Sequence, residues 1–307
     1  MNKFKKYLPN LHFKLNKYIP FHNYSINYFK GGYESFGNNI QQIAIGIIYC
    51  NLNGYNFYLK KHPYIRDIKI INNNFSNIFS FFKKKYRFFY FDKEVTDFFN
   101  RNDYLNKNEN DFPISEFEKE IYINNIHQTV KKFVQPNLNF KTEISIPKET
   151  LVIHIRSGDV FEKDWHSMYV QNPLSYFEKL INQFEKVIVV SSDDKNPVID
   201  ELKKNENIIF KSSNFINDLK ILLNAEYLAS SGVGTFVISA VFLSNKIKEF
   251  YCSQYYLTEH LNPEMINEIK VKKLEVDDYI DIGKFKKNDE NLNKILSKNI
   301  NVNFIDK

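Results

Sequence analysis

The segment His154-Ile155-Arg156-Ser157-Gly158-Asp159 closes an apolar run, Leu151 to Ile155, that reads as a buried strand. His154 and Arg156 are two residues apart, so on a strand they share a face, and Gly158 frees the turn that follows. A guanidinium there offers a fixed fork of donors, suited to a diphosphate whose charge grows as its ester bond breaks. The plainer alternative is an Arg156–Asp159 ion pair with a structural role. Two further polar segments follow apolar runs in the same way. Ser191-Ser192-Asp193-Asp194, after Val187 to Val190, can hold a ribose or base edge, or cap the next helix. Ser230-Ser231-Gly232-Val233-Gly234-Thr235 lets backbone N–H groups approach a phosphate, with the following helix presenting its positive end. A fourth segment, Phe36-Gly37-Asn38-Asn39-Ile40-Gln41-Gln42 after Gly31-Gly32, reads as a glycine turn with an Asn cap entering a helix.

The elements that must position these residues fall into two halves. In the first, the pattern predicts a helix from Asn38 to Cys50 and strands over Tyr55–Leu59, Ile65–Ile71 and Tyr86–Phe91. A further helix is predicted over Ser115–Val134, with Phe117, Ile121, Ile126 and Val130 on or near one side and Pro136 as its stop. The polar segment Asn137 to Thr150 is the candidate hinge, so the expected domains are 1–145 and 146–307. The second half alternates more regularly. Strands are expected at Leu151–Ile155, Val187–Ser191, Ile208–Lys211, Tyr227–Ser230 and Ile247–Tyr251. Between them lie helices at Pro173–Phe184, Pro197–Lys203, Asn217–Asn224 and Thr235–Leu243. Short unbroken apolar strands alternating with helices imply an α/β fold with a parallel sheet covered on both faces, where ligands bind at the carboxyl ends of the strands. The segment from about Glu259 to Lys307 is charged and only partly periodic, and is left as a wrap-around or interaction tail.

At 307 residues, 43% hydrophobic and 16% aromatic, the chain has ample material for a sizeable core. Its 2 cysteines, Cys50 and Cys252, exclude a disulfide-stapled scaffold and read as buried reduced thiols. About 40 Asn explain much of the negative mean hydropathy of −0.44 and carry no functional weight. The net charge of +6 equals that of residues 1–33, where Lys3, Lys5, Lys6, Lys14, Lys17 and Lys30 meet no acidic residue. Aromatics interleave with these lysines, which suggests either a solvated edge or peripheral contact with an anionic membrane. No apolar run reaches the ~18 residues of a membrane span and no signal-peptide core is present, so a cytoplasmic location is expected.

Taken together and in this order, the four segments resemble the α1,2-, α1,6- and protein O-fucosyltransferase superfamily: an early Gly-Asn turn, an HxRxGD-like segment, and a late Asp218-Leu219 helix leading to the small-residue turn. The resemblance covers scattered motifs over roughly residues 30 to 245. It implies a GT-B-like fold of two Rossmann-like lobes with a donor cleft between them. It also implies metal-independent transfer with inversion from a GDP-sugar, fucose being the expected sugar, to a glycan acceptor. By motif position Arg156 holds the β-phosphate with Gly37 and Asn38 near it, Ser231, Gly234 and Thr235 line the phosphate side, and His154 and Asp193 the nucleoside side. Many members carry a second Arg where this chain has Ser157. The catalytic base is sought in the loop after Arg156, with Asp164 ranked first, His166 second and Glu162 third.

Other classes fit less well. Asp193-Asp194 and Asp277-Asp278 lack the alternating carboxylate form of a metal-dependent transferase, and no zinc-ligand spacing, Walker loop, Gly-x-Ser-x-Gly elbow or dinucleotide fingerprint occurs. No metal, resident cofactor or nucleic-acid partner is expected. The alternatives are a UDP-sugar transferase, such as a xylosyltransferase, and a non-catalytic glycan- or nucleic-acid-binding protein resting on the basic amino-terminal stretch.

Overall fold

The computed structural model describes residues 23–27, 33–52, 54–72, 83–85, 116–256 and 261–305. The chain is mixed α/β and divides into two compact units, residues 1–139 and 140–307. The predicted strand Tyr86–Phe91, the glycines Gly31 and Gly32, and the basic stretch up to His22 lie outside the described residues.

In the first unit, β1 (Asn23–Asn27), α1 (Tyr33–Leu52) and β2 (Asn56–Lys60) make a βαβ unit with β1 and β2 parallel. The strands β3 (Ile68–Ile70) and β4 (Lys83–Lys85) complete a four-stranded sheet of order β3-β2-β1-β4. From Phe36 to Cys50 every residue of α1 but Asn38 is buried, the pattern of a helix enclosed on all sides. That burial corrects one expectation. Gly37 and Asn38 do not form a turn and cap; they lie inside α1, because Phe36, Ile40, Ile43 and Ile47 repeat at helical spacing and carry the helix back to Tyr33. The next helix, α2 (Glu116–Thr129), continues through a π-helical turn at Val130–Val134 and a 3-10 turn at Gln135–Asn137, so Pro136 lies within the last turn and does not stop it. Its buried ladder is Tyr122, Ile126, Val130 and Val134, whereas Ile121 is 37% exposed and does not join the stripe the sequence suggested.

The second unit is built on a seven-stranded sheet. Its elements in chain order are β5 (Thr150–His154), α3 (Leu174–Ile181), β6 (Lys186–Val190), α4 (Val198–Leu202), β7 (Ile208–Lys211), α5 (Phe215–Asn224), β8 (Tyr227–Ser230), α6 (Thr235–Leu243), β9 (Glu249–Ser253), β10 (Lys270–Val276), α7 (Asp289–Leu296) and β11 (Val302–Phe304). The sheet order is β11-β10-β9-β8-β5-β6-β7, parallel except for the antiparallel edge pair β10–β11. Every residue of β5 is buried, as expected of a central parallel strand with helices on both faces. Leu151, Ile153, Val187 and Val189 join one core cluster with Tyr176, Phe177 and Leu180 of α3. Strand alternation sends Val152 and His154 to the opposite face, where His154 meets Phe236 of α6. The segment after Glu259 is no tail: β10, α7 and β11 extend the sheet, and Leu274, Val276, Ile295 and Val302 enter its core. Lysines at Lys270, Lys272 and Lys273 mask the strand alternation of β10. Both cysteines are buried and neither forms a disulfide. No helix among the described residues is long and apolar enough to cross a membrane.

Candidate active site

The chain leaves β5, runs outward through β6 and β7, and returns to lay β8 on the other side of β5. This reversal makes the carboxyl ends of β5 and β8 the topological switch point, the place where open α/β sheets bind ligands. Arg156 sits just past β5 and Ser231 just past β8, and the Arg156 backbone N–H donates to Ser231 Oγ at 2.8 Å. The Arg156 Nη2 donates to Asp159 Oδ1 at 2.5 Å. The plain reading of that pair is therefore correct as far as it goes, but the pairing uses only one edge of the guanidinium. Arg156 Nε is buried and has no hydrogen-bond partner among the described residues. A buried guanidinium N–H without an acceptor costs free energy that a ligand oxygen recovers.

The turn that carries Arg156 is closed by the chain itself. Ser157 Oγ donates to Asp193 Oδ1 at 2.5 Å, and the N–H groups of Gly158 and Lys195 donate to the same oxygen at 3.1 and 3.0 Å. Asn196 completes the lock by donating its side-chain amide to the Arg156 carbonyl at 2.9 Å. Burial opposes ionisation of Asp193, but the bonds from Ser157, Lys195 and Gly158 outweigh it and hold its carboxyl below the usual range. Asp193, expected on the nucleoside side, thus spends one carboxylate oxygen on positioning the Arg156 turn, and Ser157 is committed to the same lock.

His154 is buried against Phe236 with ring centroids 5.1 Å apart. Burial, then the neighbouring Arg156 charge, pushes its pKa down to about 3, so the imidazole is neutral at physiological pH. The loop after Arg156 separates the three base candidates. Asp164 is exposed and makes no hydrogen bond or ion pair among the described residues. Glu162 is exposed and ion-paired to Lys195 at 2.9 Å. His166 is half-buried, packs edge-on against Tyr169 at 4.6 Å, and feels the charges of both Asp159 and Arg156. Burial lowers its pKa first, Asp159 pulls it back up, and Arg156 lowers it further, for a net decrease. His166 lies close enough to Arg156 and Asp159 to feel both charges. The loop is pinned from behind by Trp165, stacked on Phe285 at 5.0 Å, and by Ser167, whose carbonyl accepts from the N–H groups of Gly283 and Phe285.

The loop after β8 is shaped by Gly232, at φ +129° and bridged to Gln171. A Cβ there would stand 2.3 Å from the Val170 carbonyl oxygen. Gly232→Ala is therefore expected to lose about 3 kcal/mol of stability, read as a lower denaturant midpoint. Gly234 is the control: its φ of 171° is extended and a Cβ would meet nothing within 4 Å, so Gly234→Ala should stay within about 1 kcal/mol of wild type. Equal losses would mean that the close approach of Gly232 is not what requires glycine. Gly234 caps α6 without a side chain, and the half-buried Thr235 begins the helix. Beside them Tyr169, Val233, Ile238, Tyr256 and Leu261 line a small apolar pocket.

The fold therefore gathers Arg156, His154, Asp159, His166, Ser231, Gly234 and Thr235 along one sheet edge, with Asp193 behind them. Gly37 and Asn38 belong to α1 of the other unit. Two buried polar groups of the second unit were assigned no site role from the sequence, although Asp218 stood in the Asp218-Leu219 segment of the resemblance. One is Gln171, fully buried between the loops after β5 and β8. The other is Asp218, a fully buried carboxylate in the first turn of α5 that accepts from Ser213 Oγ at 2.6 Å. Among the described residues no group of three His, Cys, Asp or Glu side chains is placed to hold a metal ion. No protein-family model and no curated protein matches this chain.

Proposed function

We propose that this chain is an inverting glycosyltransferase that binds a nucleoside-diphosphate sugar at the carboxyl ends of β5 and β8 and passes the sugar to a glycan hydroxyl. GDP-fucose is the donor that the motif resemblance favours, and the two-lobed GT-B arrangement belongs to the same reading. The observation that carries the proposal is the buried, unpartnered Nε of Arg156 at the switch point of a doubly wound sheet. Asp159 engages the guanidinium through a single oxygen on Nη2, which leaves Nε for an acceptor oxygen of a bound phosphate. The amino end of α6, capped by Gly234 without a side chain, favours the same charge.

In this reading the β-phosphate lies against Arg156. The acceptor hydroxyl loses its proton to His166 as its oxygen attacks the anomeric carbon from the face opposite the leaving group. The bond between the anomeric carbon and the phosphate oxygen breaks, and the electron pair leaves with the diphosphate, where Arg156 stabilises the added charge. Inversion follows from a single displacement.

The test is thermal shift of the full chain with GDP, UDP and GDP-fucose, without added metal. Stabilisation by GDP and GDP-fucose is the expected result, of about 3 °C or more at a hundred times Kd. A preference for UDP keeps the transferase and moves the donor to a UDP-sugar such as UDP-xylose. No response to any nucleotide overturns the reading.

A further inference from the structure

Gln171 is fully buried, yet every atom of its amide is engaged. Its Oε1 accepts the Ser231 hydroxyl proton at 2.7 Å, and its Nε2 donates toward the carbonyls of Tyr169, Val170 and Val233 at 3.0, 3.2 and 3.0 Å. Those partners belong to two different strand-end loops. Tyr169 and Val170 end the loop that carries His166, whereas Ser231 and Val233 open the loop that leads into α6. Ser231 Oγ in turn accepts the Arg156 backbone N–H. A second line of bonds runs in parallel: Val233 N–H donates to the Val170 carbonyl at 2.9 Å, and Tyr279 Oη donates to the Gln171 carbonyl at 2.9 Å.

We infer that Gln171 is a positioning residue: its buried amide holds the His166 loop, the amino end of α6 and, through Ser231, the backbone of Arg156 in one fixed arrangement. This rests on the nucleotide-binding reading above. The amide is suited to the task because it presents an acceptor and a donor on opposite edges of one plane, and the two loops offer a hydroxyl and carbonyls in that order. No apolar residue of the same length satisfies either side, and a buried carbonyl or hydroxyl left without its partner works against the folded loop. A glutamate of the same shape still accepts from Ser231, but must be protonated to face the carbonyls, so its carboxyl ionises well above the usual range.

The experiment compares wild type, Gln171→Met, Gln171→Glu and Ile295→Ala, a core variant in α7 chosen to lower the melting temperature without touching the site. GDP affinity is measured against pH at a temperature where all four are folded, together with amide hydrogen exchange of residues 231–235. Gln171→Met is expected to bind GDP about tenfold or more weakly at every pH. Gln171→Glu should be as weak at alkaline pH and recover as pH falls and its carboxyl regains a donor. Ile295→Ala should stay within about twofold of wild type at equal loss of stability. Wild-type affinity in Gln171→Met, a loss no larger than in Ile295→Ala, or no recovery of Gln171→Glu in acid would overturn the inference. Should wild type bind no nucleotide, the functional reading fails and the exchange arm decides alone. Faster exchange of residues 231–235 in Gln171→Met than in Ile295→Ala upholds the inference, and equal exchange overturns it.

Discussion

Arg156→Ala is expected to remove stabilisation by a nucleoside diphosphate while leaving the fold in place. The substitution deletes the guanidinium but keeps the backbone N–H that donates to Ser231, so the β5–β8 connection survives. It also strands Asp159, but that side chain is 51% exposed and finds water in place of its lost partner. The expected cost in GDP affinity is about a hundredfold or more, since charge-assisted, bidentate bonds are the strong ones. Arg156→Lys should recover only part of this, because an ammonium brings the charge without the fork. Unchanged GDP binding by Arg156→Ala, measured by calorimetry, would remove the central residue of the proposed site.

His166→Ala is expected to lower kcat by about 10²- to 10⁴-fold with little change in donor affinity, as removal of a general base does. The pH profile supplies the second signature. A base works in its neutral form, and the net effect of the surroundings is to lower the His166 pKa. The rate should therefore rise with pH along an acid limb lying below the ordinary histidine range, then level off toward neutrality. Asp159 raises the pKa of His166, so Asp159→Asn should move that limb to lower pH. The 3.4 Å contact from Met168 N–H to His166 Nδ1 is too long to fix the tautomer strongly. A kcat that survives in His166→Ala but collapses in Asp164→Asn would restore the first-ranked sequence candidate and move the chemistry to the exposed part of the loop.

How far the sequence revealed this arrangement depended on the distance over which each signal acts. The strands β5, β6, β7 and β8 were legible to within a residue or so because unbroken runs such as Leu-Val-Ile and Val-Ile-Val-Val state their burial directly. Arg156, Ser231 and Thr235 were legible for a related reason, since a polar residue just past such a run marks the ligand edge of the sheet. Local patterns failed where charge or long-range contact decides. The strand β10 is disguised by its lysines, and α1 starts early because the core holds Phe36 and Ile40 on one side of Gly37 and Asn38. Asp193 reads as a ligand residue until Ser157, 36 positions earlier, is seen to donate to it. Gln171 has no readable role without Ser231 and Val233, about 60 residues downstream.

The stacking of Trp165 on Phe285 has a practical consequence, because Trp165 is the chain's 1 tryptophan. Its indole is buried between Phe161 and Phe285 and stands one residue before His166. The protein thus carries its own indole fluorophore at the back of the loop after β5. Excitation of indole alone reports on that loop and on the packing of the Gly283–Phe285 segment behind it. A ligand that moves this loop should change the emission of the unlabelled protein, read on the timescale of mixing.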